Sequence, residues 1–310
     1  MKPNLTNPGK VIITVATTGG LHGNESNKAL PEQPDEIVQN FYDCQNAGAS
    51  IAHIHVRDKR GVTTSDLSVY GQVVSGIQNR CPSMITQVGN GIGLAYERAG
   101  REGEPFTLEE RMNLLNIRPA PDMLTVNCGT FHFDHKGSEF LFPNSKKWNA
   151  EFIQGCNERG IHIELEVYDL SHIANALALV ECGVLKLPLH FSLVMGIQGG
   201  IPASPHNLLA MLDALPDGSS WQLVSIGKYQ LPLCTMVVAL GGNIRSGLED
   251  NVYYSQGVLA VSNAQLVERA VRICRELGRE VATPEEARRI MQVPSAPPQR
   301  ATERAVAAHA

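Results

Sequence analysis

The sequence predicts an α/β fold: a (β/α)8 TIM barrel in a single domain with a C-terminal helical extension. Three observations predict it. Eight short β-rich runs alternate with amphipathic helical stretches. Several of those runs alternate apolar and polar residues, so one strand face packs on helices and the other points into a shared interior. The 310-residue length is one that α/β barrels commonly fill as one domain. The barrel domain is expected over residues 1–292, with a Pro- and Ala-rich tail at 293–310 that is a loose end or a packing arm.

The elements follow in order. "KVIITVATTG" reads as the first strand and "PDEIVQNFYDCQNAGA" as its helix. "SIAHIHVRD" is the second strand, with Ala52, Ile54 and Val56 on one face and His53, His55 and Arg57 on the other. It is followed by the helix "LSVYGQVVSGIQNRC". "SMITQVGNG" is the third strand, then a long loop and the helix "TLEERMNLLNI". "DMLTVNCGT" is the fourth, turning Thr125 and Asn127 inward, and "SKKWNAEFIQGCNERG" its helix. "FHFDHKGSEF" between them reads as a solvated surface loop or a contact with a neighbouring subunit, despite the spacing of His132 and His135. "HIELEVYD" is the fifth strand, turning His162, Glu164, Glu166 and Tyr168 inward. The remaining strands are "LKLPLHFSLVMG", "WQLVSIG" and "GNIRSGLED", each followed by a helix, the last being "SNAQLVERAVRICRELGRE". Gly160, Gly183 and Gly278 stand at helix ends, where a left-handed cap fits.

Composition excludes several classes. A net charge of −5 and the lack of a basic run argue against a nucleic-acid surface. Seven scattered cysteines without a CxxC pair suggest reduced thiols and a cytoplasmic protein. No apolar run has membrane-spanning length, and "MKPNLTNPGK" lacks the core of a signal peptide. The Gly-rich "GIQGGIPAS" lacks the P-loop lysine, and its backbone can approach a ligand chain closely or simply form a flexible loop.

The polar stripes carry the chemistry. Buried charge is costly unless paired or bound to metal, and a merely structural barrel fills its interior with Val, Ile and Leu. H-x-H on a strand sets His53 and His55 about 6–7 Å apart at Cα on one face. They can converge on one ion, and Glu249, just past the eighth strand, is a good third ligand. Within "IRSGLEDN", Arg245 can fix a carboxylate, making Asp250 a plausible general base. Arg57 is expected to brace the site by pairing with a carboxylate.

"HIHVRD", "TVNCGT", "ELEVYD" and "GGNIRSGLEDN", in that order and spacing, resemble the β-keto acid cleavage enzymes over nearly the whole chain. The resemblance implies a zinc-bearing barrel, usually a homotetramer, that acts on a β-keto acid and acetyl-CoA to give acetoacetate and a new acyl-CoA. It matches His53, His55 and Glu249 to the zinc ligands. Arg245 and Asp250 match the pair that generates the carbanion, and Glu166 and Thr125 match further active-site positions. Leu21 stands where the type member has a glutamate facing the substrate's amino group, and Gly89 where it has a serine. Leu21, Gly89 and Asn127 are therefore the expected substrate-side residues. Leu21 disfavours an ammonium-bearing tail and favours an uncharged one. A dicarboxylic substrate is second, met by Arg98 and Arg101 of the long third loop (91–110). Three rivals remain: a metal-dependent aldolase or acyl-CoA lyase that needs no acetyl-CoA, a hydrolase, which would want H-x-H on strand one, and a non-catalytic binding barrel.

Overall fold

The computed structural model describes residues 9–20, 22–91, 106–135 and 138–294. Its strands are β1 (Ile13–Ala16), β2 (Ile51–Ile54), β3 (Ile85–Val88), β4 (Met123–Asn127), β5 (Phe131–His135), β6 (Ser138–Phe142), β7 (His162–Val167), β8 (His190–Met195), β9 (Ser220–Ser225), β10 (Asn243–Ser246), β11 (Tyr253–Ser255) and β12 (Val258–Leu259). Its helices are α1 (Pro34–Ala47), α2 (Leu67–Arg80), α3 (Leu108–Met112), α4 (Lys146–Arg159), α5 (Leu170–Glu181), α6 (Pro205–Ala214), α7 (Gln230–Ala239), α8 (Asn263–Glu276) and α9 (Pro284–Ile290).

Eight strands close into one parallel barrel in the order β1-β10-β9-β8-β7-β4-β3-β2. The predicted TIM barrel is the observed fold. Its helices start where the chain supplies caps: Asp66, Ser145, Asp169, Ser204 and Ser262 each accept a backbone N–H of the first turn. The residues expected on the outer faces lie in the sheet–helix core, among them Ala52, Ile54, Val56, Leu124, Val126, Leu165 and Val167. The barrel floor is a separate cluster. Ile12, Ile51, Ile85 and Met123 meet Ala282, Ala287, Met291 and Val293, so the segment around α9 plugs the end opposite the active-site mouth.

Two expectations need correction. "FHFDHKGSEF" is not a loop: it contributes β5 and most of β6, an antiparallel hairpin with Phe131 paired to Phe142. The alternating Phe131 and Phe133 are buried while His132 is exposed, so the hairpin docks on its aromatic face. The helix predicted over "TLEERMNLLNI" divides into α3 and a 3-10 turn at Asn113–Asn116. Ile117 then turns extended ahead of the Arg118-Pro119 pair. Arg111 of α3 is fully buried. It donates to Asn90 Oδ1, the Pro143 carbonyl and Asn144 Oδ1, and it lies over the Phe142 and Trp148 rings. It thereby ties the end of β3 to the end of the hairpin.

Candidate active site

Side chains from β2, β7, β10 and the turn after β10 converge at the C-terminal mouth. His53 on β2 and His55 just past its end have their Nε2 atoms 3.2 Å apart. Glu249 Oε1 stands 3.8 Å from His53 Nε2 and 3.6 Å from His55 Nε2. Arg245 clamps Asp250 through two bonds, Nε to Oδ2 at 2.9 Å and Nη2 to Oδ1 at 2.8 Å. The same guanidinium donates to Glu249 Oε1 at 2.6 Å and toward His53 Nε2 at 3.1 Å, and passes Glu166 Oε1 at 3.5 Å. One arginine thus touches every acidic member of the site.

Burial sets the protonation. It drives the His53 imidazole well below its ordinary value and His55 to about 3, with the nearby Arg245 charge adding to both. Both rings are neutral near pH 7, the form that ligates metal. Burial pushes Glu166 up to about 7, against the pull of Arg245, and Glu249 up to about 8, against the same pull and with Asp250 and Glu166 adding to the rise. Burial alone would lower Arg245, but Asp250 and Glu249 hold its charge well above the ordinary range.

The donor set fits a divalent cation. Two neutral imidazole nitrogens and one carboxylate oxygen, with Glu249 Oε2 buried and unpartnered, form the three-ligand pattern of a catalytic site. Gly89 adds to the fit: a Cβ there would overlap His55 Nε2 and come within 2.9 Å of His53 Nε2, so a side chain would fill the space between the ligands. A second cluster of His53, Glu164 and Glu166 is geometrically close. It competes for His53, whose Nδ1 is already bonded to Gln87 Oε1 at 2.7 Å.

The remaining expected residues divide. Gly89 lines the mouth cavity beside Gly20, Gly91, Arg245, Glu249 and Asp250. Thr125 lies fully buried, its Oγ1 accepting the Asn90 N–H at 2.8 Å. Asn127 is also fully buried, its Oδ1 accepting from Tyr168 Oη at 3.0 Å. Arg57 stands beside Glu32 Oε1 at 3.6 Å and donates to Thr18 Oγ1 and to the carbonyls of Gly19, His22 and Gly61. It thus braces the loop after β1, as expected. At the start of β10, Asn243 serves the barrel base, accepting from Ile12 N and donating to the Trp221 carbonyl. Leu21, Arg98 and Arg101 lie outside the described residues.

Residues 10–293 match the family model described as beta-keto acid cleavage enzyme. The chain belongs to the beta-keto acid cleavage enzyme family. A relative from Fusobacterium nucleatum, named 3-keto-5-aminohexanoate cleavage enzyme, is 37% identical over 92% of this chain and 98% of its own length. A Cupriavidus necator protein named 3-oxoadipate:acetyl-CoA acetyltransferase is 34% identical over 92% of this chain and 95% of its own. The apo structure of ObcA superposes with a TM-score of 0.68 at 18% identity. It covers 86% of this chain, which spans only 66% of ObcA. At that identity it speaks to the fold alone. As a beta-keto acid cleavage enzyme, the chain is a transferase and C–C-cleaving catalyst by family. Among the described residues no helix is long and apolar enough to cross a membrane.

Beyond Tyr168 and Glu164, which the inward stripe of "HIELEVYD" supplies, two parts of this family member's site are not assigned from the sequence. One is an apolar wall of the mouth cavity, Tyr168, Val194, Ile197, Val224 and Ile226, backed by Phe131, Phe133 and Phe142 of the hairpin. The other is a polar layer beneath the ligands, Thr14, Gln87, Glu164, His190, Ser192 and Gln222. The alternation applied to β2 would have turned Gln87 inward in "MITQVG" and Gln222 inward in "SWQLVS". A larger cleft of 330 Å³ lies on the barrel flank near His162, Lys186 and Leu189, away from the convergent groups.

Proposed function

We propose that the chain is a zinc-dependent enzyme that condenses a β-keto acid with acetyl-CoA and releases acetoacetate and a new acyl-CoA. The observation that carries this reading is the meeting of His53, His55 and Glu249 with the Arg245–Asp250 clamp at one barrel mouth. The relatives' names pair β-keto acids with cleavage and with acetyl-CoA. His53, His55 and Glu249 would hold the ion, which when bound supplies Lewis acidity toward a ketone oxygen. Asp250 takes the proton from C2 of the β-keto acid, between its ketone and carboxylate, and Arg245 holds the Asp250 carboxylate toward the cavity. Glu166, with a proton affinity near neutrality, is placed to accept or return a proton beside Arg245. Thr125 holds the Asn90 backbone, and with it the Gly89–Gly91 rim, in place. C2 of the β-keto acid bonds to the thioester carbonyl carbon of acetyl-CoA and CoA leaves as the thiolate; the thiolate then adds to the C3 ketone carbon and the C2–C3 bond breaks, so that acetoacetate, reprotonated at C2, and the new acyl-CoA are released.

The substrate tail is uncharged in this reading. Leu21 in the sequence and the wall of Val194, Ile197, Val224 and Ile226 both favour an aliphatic chain over a cation, which would lose several kcal/mol without a partner. The protein works as a cytoplasmic homotetramer. The exposed apolar hairpin of β11 and β12, with Val258 at 55% exposure and Val261 just beyond it at 72%, is the surface that copies would cover. The barrel domain of residues 1–292 is the catalytic unit.

The test is metal analysis of the purified protein, then β-ketohexanoate, β-ketoadipate and 3-keto-5-aminohexanoate offered in competition, each with and without acetyl-CoA. Acetoacetate formed only with acetyl-CoA, and fastest from β-ketohexanoate, is the expected result. Turnover without acetyl-CoA would make it a lyase. Preference for the amino compound would refute the tail assignment.

A further inference from the structure

We propose that Gln87 is a positioning residue. Oriented by the buried carboxylate of Glu164, it locks His53 in the tautomer whose bare Nε2 faces the metal position. The inference rests on the metal reading above and concerns the layer beneath it.

The hydrogen-bond logic runs inward from β9. Thr14 Oγ1 donates to Gln222 Oε1 at 2.8 Å, which turns the Gln222 amide nitrogen toward Ser192 Oγ (2.8 Å) and Glu164 Oε2 (2.9 Å). Glu164 Oε2 therefore accepts. It accepts a second time from Gln87 Nε2 at 2.8 Å. An amide has one donor end and one acceptor end, so Gln87 must present its oxygen at the opposite side. That oxygen lies 2.7 Å from His53 Nδ1 and can only accept, so Nδ1 carries the proton and Nε2 is bare.

The other face of the ring requires the same tautomer. Arg245 Nη1, 3.1 Å from His53 Nε2, has only hydrogens to offer, so Nε2 must be an acceptor. Two neighbours of opposite character thus fix one imidazole from its two edges. Glu164 and Gln87 are both fully buried, and His190 Nε2 stands 3.2 Å from Glu164 Oε2 on the side away from Gln87's link to His53. Outer partners of this kind set the orientation and basicity of a ligating histidine, and their loss commonly weakens metal binding about 10–100-fold.

The experiment uses zinc-loaded full-length protein with ¹⁵N-labelled histidine. Zinc affinity is measured by competition with a chelating chromophore, and the downfield imidazole N–H proton of His53 is followed by NMR. Gln87→Met keeps the shape and removes both polar ends. It should weaken zinc about 10–100-fold and abolish the protected N–H signal. Gln87→Glu keeps an acceptor toward Nδ1, and its other oxygen and Glu164 Oε2 hold one proton between them where the amide had donated; it should bind zinc closer to the parent value than Gln87→Met does, which a purely packing role for Gln87 would not single out. Glu164→Met should weaken zinc as well, and the Gln87→Met/Glu164→Met double variant should lose little more than either alone, because both remove the same link. Parent-like zinc affinity in a folded Gln87→Met protein would overturn the inference while leaving the metal site standing. A parent protein that binds no zinc would overturn the metal reading itself.

Discussion

At the scale of residues the site is a balance of charges around Arg245. His55→Ala removes one of two nitrogens from a three-ligand set. It should purify with little metal and little activity, as metal analysis and turnover will report; a metal-free but fully active variant would exclude His55 as a ligand. Asp250→Asn keeps the shape of the clamp and removes the basic oxygen. It should bind metal normally and lose about 10²–10⁴-fold in turnover. Enzyme-catalysed deuterium exchange at C2 of the β-keto acid should fall with it, and unimpaired exchange would transfer the role of base to Glu166. Glu166 also predicts a pH dependence. Its folded value of about 7 lies above the ordinary 4.5, so the native state holds the proton more firmly than the unfolded chain. Its stabilising contribution is present below pH 4.5 and is lost as pH rises to 7, by an amount on the order of 3 kcal/mol. Thermal melts of the metal-free parent should therefore fall across that window relative to metal-free Glu166→Gln; parallel curves would refute the shift.

At the scale of elements the hairpin of β5 and β6 backs the apolar wall. It is held by the loop after β8. Gly199 adopts φ +92°, and a Cβ there would overlap the His132 carbonyl oxygen. Gly199→Ala thus meets both a left-handed backbone cost of about 1–2 kcal/mol and a collision with backbone that cannot swing aside. The loop should part from the hairpin, carrying Ile197 away from the cavity. A higher KM for the β-keto acid with retained metal is the expected outcome; unchanged KM would show that the wall does not touch substrate. Strand alternation makes β2, β4 and β7 legible in the sequence, because one face must be apolar to pack on helices. The hairpin is hidden by its composition: "FHFDH" alternates as a strand does, but its charged and imidazole residues suggest a solvated loop.

At the scale of the molecule, mouth and floor divide the labour of the barrel. The floor is an apolar cluster edged by an ion pair: Met291, 4% exposed, packs with Ile12, Ile51, Ile85 and Met123, and Arg288 reaches Asp122 at 3.1 Å. Met291→Ala should cost about 2–5 kcal/mol of stability, as buried large-to-small changes commonly do. Denaturant unfolding measures it. The metal content and KM of the folded variant should stay at parent values, since the floor lies at the far end of the strands.

The sequence by itself determined the fold class and the identity of the converging residues. Eight alternating strands with helices between them have few ways to bury their apolar faces, and inward stripes on parallel strands of a barrel must share one volume. Tertiary structure alone decided which of those inward groups face the cavity and which lie beneath it. Thr125 and Glu164 share the polar pattern of His55 and Glu166, yet they sit in register one layer below and are fully buried; Asn127, in register with Glu166, is covered by the Tyr168 hydroxyl. The direction of Gln87, and through it the free nitrogen of His53, depends on partners from β7, β9 and β10. Those partners lie far apart in sequence, and only closure of the barrel brings their donors and acceptors within about 3 Å of one another.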